Sequence, residues 1–124
     1  MRAKFVVAND IDHYATQVTQ INSEINETTV ATDMSNIIGT KCEEFDTVLI
    51  GDMFYDELFA EMLFKWLQTL AAQGKLVLIG DPGRHGLTDK RRNQMSLLAT
   101  YELPKESRAE NNGYTHTTLW RLNN

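Results

Sequence analysis

The residues best placed to do chemistry lie in Phe45–Asp56, FDTVLIGDMFYD. An aliphatic run, Val48-Leu49-Ile50, stops at Gly51-Asp52, and Tyr55 follows after two further residues. A carboxylate and a phenol so spaced can hold an amine by one charge-assisted hydrogen bond and one directed neutral one. The same five letters return at Val77-Leu78-Ile79-Gly80-Asp81, one helix-length segment downstream. Two strands that both end in Gly-Asp predict a βαβ unit with two acidic strand ends. In open α/β sheets ligands bind at the carboxyl ends of strands. The plain alternative is that Gly-Asp opens a turn twice.

Two further strand ends carry acids. Asp10, with Ile11 beside it, follows the β-prone run Lys4–Ala8. In a Rossmann-like unit such an acid hydrogen-bonds a ribose diol, and the apolar neighbour can cover an adenine face. Asp33-Met34 closes the next short run, where Asp33 is either an acceptor for an adenine amine or a loop-opening residue. His13, His85 and His116 show no ligand spacing, and the single Cys42 excludes an internal disulfide or a multi-cysteine metal site, so no metal is expected. Arg84 after Gly83 is a possible anion grip or a solvated turn residue. Trp66 and Phe64 read as helix packing, and Lys90-Arg91-Arg92 as a solvated helix start.

The elements that must position these residues follow from pattern. Strands are expected at Lys4–Ala8, Thr28–Thr32, Asp46–Ile50 and Lys75–Ile79, with Val48–Ile50 covered on both faces as in a parallel sheet. Asp12 caps a helix whose stripe, Tyr14, Val18, Ile21 and Ile25, packs on the sheet and which ends near Asn26. Ile37–Glu44 reads as a loop. Asp56 or Glu57 opens a second helix with an apolar face of Leu58, Phe59, Met62, Leu63, Trp66, Leu67 and Leu70, stopped by Gly74. Thr88 caps a last helix reaching Leu98. Ala99–Leu103 and Thr115–Leu122 form a closing antiparallel pair joined through Pro104–Gly113. Alternating short strands and helices place the chain in the α/β class.

Size and composition agree. A chain of 124 residues with 42% hydrophobic content is expected to be a single domain able to bury a core. A net charge of −5 argues against a general grip on nucleic-acid phosphate. No stretch resembles a membrane span or a cleavable targeting segment.

Taken in order and spacing, ANDID (Ala8–Asp12), GDMFYDE (Gly51–Glu57) and LIGDPGR (Leu78–Arg84) resemble one family. It is the seven-β-strand S-adenosylmethionine-dependent protein-lysine methyltransferases, and within it the electron transfer flavoprotein β-subunit lysine methyltransferases and their bacterial relatives. The closing segment Glu106–Trp120 matches in style, so the likeness covers essentially the whole chain. The resemblance implies a Rossmann-like class I sheet, mostly parallel with a carboxy-terminal antiparallel hairpin. It implies Asp10 and Ile11 at the adenosyl ribose and adenine, Asp33 and Met34 near the adenine, and Asp52 and Tyr55 as the D-x-x-Y motif beside the target lysine. The implied cofactor is S-adenosylmethionine. The implied protein substrate is the electron transfer flavoprotein β subunit, with no nucleic-acid or membrane partner, in the mitochondrial matrix of a eukaryote or the cytoplasm of a bacterium.

One departure stands out. The family's first strand and its glycine-rich loop have no counterpart, and no G-x-G occurs in the sequence. The chain is therefore expected to be a partial, amino-terminally truncated methyltransferase domain. The alternative function is an inactive Rossmann-like remnant or a protein-binding module without cofactor.

Overall fold

The computed structural model describes residues 2–110 and 112–124; Met1, and Asn111 inside the closing segment, lie outside the described residues. The chain divides into two compact units, Met1–Thr40 and Lys41–Asn124.

The first unit is β1 (Val7–Asn9), α1 (His13–Ile25) and β2 (Ala31–Asp33). β1 and β2 pair in parallel, Val7 opposite Ala31 and Asn9 opposite Asp33. Both strands lie slightly later in the chain than the apolar runs suggest. Asp12 caps α1 as expected, its carboxylate accepting from the Tyr14 N–H at 2.9 Å. The helix ends in a left-handed turn at Glu27 (φ 53°). There the Glu27 and Thr28 N–H groups return to the carbonyls of Glu24 and Ser23, which satisfies orphan acceptors of the last turn.

The stripe of α1 does not pack as expected. Tyr14, Val18, Ile21 and Ile25 are exposed, while Thr16 and Ser23 are the buried residues of this helix. Both hydroxyls are satisfied locally, Thr16 Oγ1 donating to the His13 carbonyl and Ser23 Oγ to that of Thr28. Small side chains whose polar atoms are bonded to nearby backbone can be buried at little cost. Periodicity shows that a helix has an apolar stripe but not which neighbour it covers.

The second unit runs β3 (Thr47–Gly51), α2 (Glu57–Ala72), β4 (Leu76–Asp81), α3 (Asp89–Arg92), β5 (Met95–Glu102), α4 (Lys105–Arg108) and β6 (His116–Leu122). Its sheet order is β3-β4-β6-β5. The two repeats lie side by side: β3 and β4 are parallel, with Val48 opposite Val77, Leu49 opposite Leu78, Ile50 opposite Ile79 and Gly51 opposite Gly80. Lys75 holds the start of this pairing, its ammonium donating to the carbonyls of Cys42 and Phe45 at 2.8 and 2.6 Å. β6 runs antiparallel between β4 and β5, with a bulge in β5 between Leu97 and Ala99.

Three expectations are corrected here. β3 is an edge strand of its sheet and Leu49 is 71% exposed, so Val48–Ile50 is not covered on both faces; only Ile50 of the three is buried. The face of α2 is rotated: Ala60, Leu63, Phe64, Trp66, Leu67, Leu70 and Ala71 are buried, whereas Leu58 and Met62 are exposed. Thr88 does cap α3, but that helix stops at Arg92, and Met95–Leu98 belong to β5. Pairing of Met95 with Leu122, both buried, outweighs the helical propensity of this segment. A short helix, α4, also lies inside the segment read as a plain connection.

The core lies between α2 and the sheet, with Phe54, Leu63, Leu67, Leu70, Val77, Ile79, Leu87 and Leu122 essentially inaccessible. Each such side chain contributes roughly 1.5–3 kcal/mol of burial. Phe54 and Gly86 meet through their backbones: the Gly86 N–H donates to the Phe54 carbonyl at 3.1 Å. A Cβ at position 86 would stand 2.3 Å from that oxygen. Gly86→Ala is therefore expected to destabilise the protein by about 1–3 kcal/mol through forced overpacking. Gly80→Ala, where the nearest atom would be 3.9 Å away, should cost clearly less. Urea unfolding of the two variants side by side checks the contrast.

Candidate functional site

The in-register pairing of β3 and β4 places the residues after Gly51 and Gly80 at neighbouring strand ends. Asp52 follows directly, its N–H donating to the Gly80 carbonyl at 2.9 Å. Its backbone is left-handed, φ 48°, a conformation that Asp tolerates better than most residues because its short polar side chain bonds locally. Both carboxylate oxygens of Asp52 are engaged by Arg84. Nε donates to Oδ1 at 2.7 Å and Nη2 to Oδ2 at 2.9 Å, a bidentate fork.

Asp81 builds the turn that aims Arg84. Its Oδ2 accepts from the backbone N–H groups of Gly83 and Arg84 at 2.8 and 2.9 Å, with Gly83 at φ 108°. The Arg84 guanidinium also lies over the Tyr114 ring, 5.0 Å from its centre. The Arg84 side chain is 18% exposed and that of Asp52 is 43% exposed. The hydrogen bond to Asp52 raises the Arg84 pKa further, and the guanidinium is a permanent cation in any case.

Asp81 itself is buried, and its Oδ1 has no hydrogen-bond partner. Burial pushes its carboxyl pKa up, against the lowering effect of the Gly83 and Arg84 N–H groups; the Asp52 charge adds to the rise and the Arg84 charge opposes it.

Tyr55 stands in the same loop, exposed, its ring stacked on Phe59 at 6.0 Å. The loop is fixed at its middle by Phe54, fully buried and edge-on to Phe64. At its end Asp56 caps α2 by accepting from the Phe59 N–H at 2.8 Å. Among the described residues no hydrogen bond joins Tyr55 to Asp52.

The acids of the first unit also stand at strand ends, and the Asp10 N–H donates to the Asp33 carbonyl at 3.0 Å. Asp10 Oδ1 accepts from the Asp12 N–H at 2.9 Å, and no other donor among the described residues reaches this carboxylate. Asp33 differs. Its carboxylate accepts from the Ser35 N–H and hydroxyl and from Asn9 Nδ2. These bonds, the Ser35 N–H first, hold its pKa below the ordinary value. Ile11 and Met34 are exposed beside them. An open carboxylate that can accept hydrogen bonds, next to an exposed aliphatic side chain, fits a ribose diol and an adjoining base. The first unit has no glycine-rich cradle for a methionine group.

Sequence reading singled out Asp10, Ile11, Asp33, Met34, Asp52 and Tyr55, and missed the joint roles of Arg84, Asp81 and Tyr114. The signal for two of these was present: once the two Gly-Asp repeats are in register, an arginine three residues after the second Asp can reach the first. Nothing marked Tyr114. Among the described residues no group of His, Cys, Asp and Glu could hold a metal ion. No helix among them is long and apolar enough to cross a membrane.

No protein-family model matches the sequence. Curated relatives do. The chain is 44% identical over 126 aligned positions to the electron transfer flavoprotein β subunit lysine methyltransferase of Danio rerio, covering 98% of this chain and 48% of that protein. It is 35% identical over 121 positions to the protein of that name from Homo sapiens, covering 95% and 46%. Among solved structures it superposes with a TM-score of 0.62 on the N-methyltransferase NodS of Bradyrhizobium japonicum, bound to S-adenosylhomocysteine. That match has 11% identity and covers 96% of this chain and 67% of the other. The chain has a Rossmann-like methyltransferase fold. The resemblance drawn from the three motifs is borne out, since the same lysine methyltransferases are the proteins it matches. The chain spans about half the length of these relatives. Within this methyltransferase fold, the strands expected as the terminal hairpin are β5 and β6.

Asp81 gives a direct stability test. Its carboxyl is raised in the folded state, so its favourable contribution is complete below the unfolded pKa and is lost as pH rises through the folded value. Asp81→Asn keeps an oxygen for the Gly83 and Arg84 N–H groups but cannot ionise. Urea midpoints measured from pH 4 upward should fall for the unchanged protein over this window and stay flatter for the variant. Parallel curves would show that Asp81 does not titrate differently on folding.

Proposed function

We propose that this chain carries residues of an S-adenosylmethionine-dependent protein-lysine N-methyltransferase whose substrate is the electron transfer flavoprotein β subunit. The observation that carries the reading is Asp52, a half-exposed carboxylate at a strand end of a methyltransferase fold, followed by an exposed Tyr55. The names of the relatives support the substrate. In a eukaryote the site of action would be the mitochondrial matrix, in a bacterium the cytoplasm.

The acceptor amine must be neutral to attack, whereas free lysine has a pKa of ~10.4. As the new bond forms, positive charge develops on the nitrogen. The Asp52 carboxylate, placed beforehand, meets that charge without reorganising. Tyr55, with its ring held by Phe59, directs the lone pair. S-adenosylmethionine, when bound, supplies the sulfonium methyl group. Asp10 would accept from its ribose hydroxyls and Ile11 would cover the base. Asp33 would keep the turn that presents Met34.

A second reading is favoured by one observation: no glycine-rich cradle is present for the methionine half of the cofactor. The chain would then be a Rossmann-like protein-binding module without cofactor. Calorimetry is expected to show weak or absent binding of S-adenosylmethionine to the 124-residue chain by itself. A form extended by a strand and a glycine-rich loop separates the two readings, since the methyltransferase reading requires that form to bind the cofactor.

Single-turnover methylation of the β subunit by the extended, cofactor-binding form tests the assignment of roles. Asp52→Asn should slow transfer at saturating cofactor by ~10²–10³, because the lost charge acts in the transition state. Asp10→Asn should raise the cofactor Kd by about tenfold, the order of a lost hydrogen bond to a charged group, with saturated turnover nearly unchanged. Near-normal transfer by Asp52→Asn, with folding verified, would reduce Asp52 to a turn residue.

A further inference from the structure

A lone carboxylate beside the acceptor has a drawback. It favours lysine as its ammonium ion, which has no lone pair to give. Asp52 is not alone: the Arg84 guanidinium is forked onto it at 2.7 and 2.9 Å. The charged and titratable groups facing this pair are Asp81 and Tyr114, so Arg84 is the cation that offsets both Asp52 and Asp81.

Arg84 is also held in place. Its backbone N–H is bound by Asp81, its guanidinium by Asp52, and its face by the Tyr114 ring. It is the more enclosed partner, 18% exposed against 43% for Asp52. A carboxylate has about four acceptor sites, so the fork leaves room for an amine on the exposed side of Asp52.

We propose that Arg84 is a positioning residue that fixes the Asp52 carboxylate and brings the local charge towards neutrality, so that the acceptor lysine is held as a free amine. The inference rests on the reading of Asp52 as the acceptor-side carboxylate. Arg84 disfavours the full charge of a bound ammonium more than the partial charge of the transition state. Its benefit is therefore largest below the pKa of the acceptor and vanishes above it.

The test is the pH profile of single-turnover methylation of the electron transfer flavoprotein β subunit by the extended, cofactor-binding form with the unchanged sequence, with Arg84→Gln and with Arg84→Lys. Arg84→Gln should move the rising limb to higher pH by about one unit, the order expected for a unit charge a few ångströms away. Its rate should be about tenfold lower near pH 7.5 and recover near pH 10. Arg84→Lys, which keeps the charge, should keep the limb. A second readout needs no turnover: protons released when the β subunit binds, measured by calorimetry in buffers of different ionisation enthalpy, should be fewer for Arg84→Gln near pH 8. Parallel profiles with a loss independent of pH, or a shifted limb in Arg84→Lys, would overturn the proposal and leave the role of Asp52 standing. Should Arg84→Gln not fold, the Arg84→Lys limb alone decides. If the extended protein binds cofactor but neither binds nor methylates the β subunit, the reading of Asp52 falls, and this inference with it.

Discussion

The site in the second unit depends on one constraint, the parallel register of β3 against β4. With Gly51 opposite Gly80, the two strand ends are level, and a single arginine can be bound by one aspartate through its backbone and by the other through its side chain. A shift of register by one residue would turn the side chains of β3 to the opposite faces. It would also separate the Asp52 carboxylate from the Arg84 fork. Lys75 is spent on this register: its ammonium is tied to two carbonyls at the entrance to β3, and the pairing continues as the Leu76 N–H meets the Asp46 carbonyl. Three polar bonds at one end of the strand pair thus set the chemistry at the other.

Much of this architecture was legible in the sequence, for local reasons. Asp12, Asp56 and Thr88 could be read as caps because an oxygen one or two bonds from Cβ reaches N–H groups of the first turn whatever the rest of the chain does. The β3-α2-β4 unit was legible because short aliphatic runs alternate with a long amphipathic segment. What failed required knowledge of neighbours. The α1 stripe and the rotation of α2 depend on which side of each helix the strands occupy. The early end of α3 depends on Leu122, a residue distant in sequence that draws Met95 into a strand.

The candidate site divides along the same line. Asp52 and Tyr55 could be named because they sit in one short loop. Asp33 could be named, but its carboxylate is occupied by Ser35 and Asn9, which fits the loop-opening role better than a free acceptor. Arg84 could not be assigned from its surroundings in sequence. An arginine in a polar turn looks the same whether it is solvated or forked onto a carboxylate, and only the strand register distinguishes the two.

The left-handed backbone at Asp52 acts as a filter on what evolution or an engineer can place there. At φ 48° a β-branched residue would clash with its own backbone, so valine, isoleucine and threonine are excluded on steric grounds. Glycine would relax the chain and remove the carboxylate. Glutamate would keep the charge but extend it by one carbon past the point where the guanidinium fork closes. Asparagine and aspartate are the side-chain-bearing residues that accept this conformation most readily, and of the two only aspartate carries charge. Backbone geometry and electrostatics independently select the same residue, so variation at this position is confined to a very small part of the amino-acid alphabet.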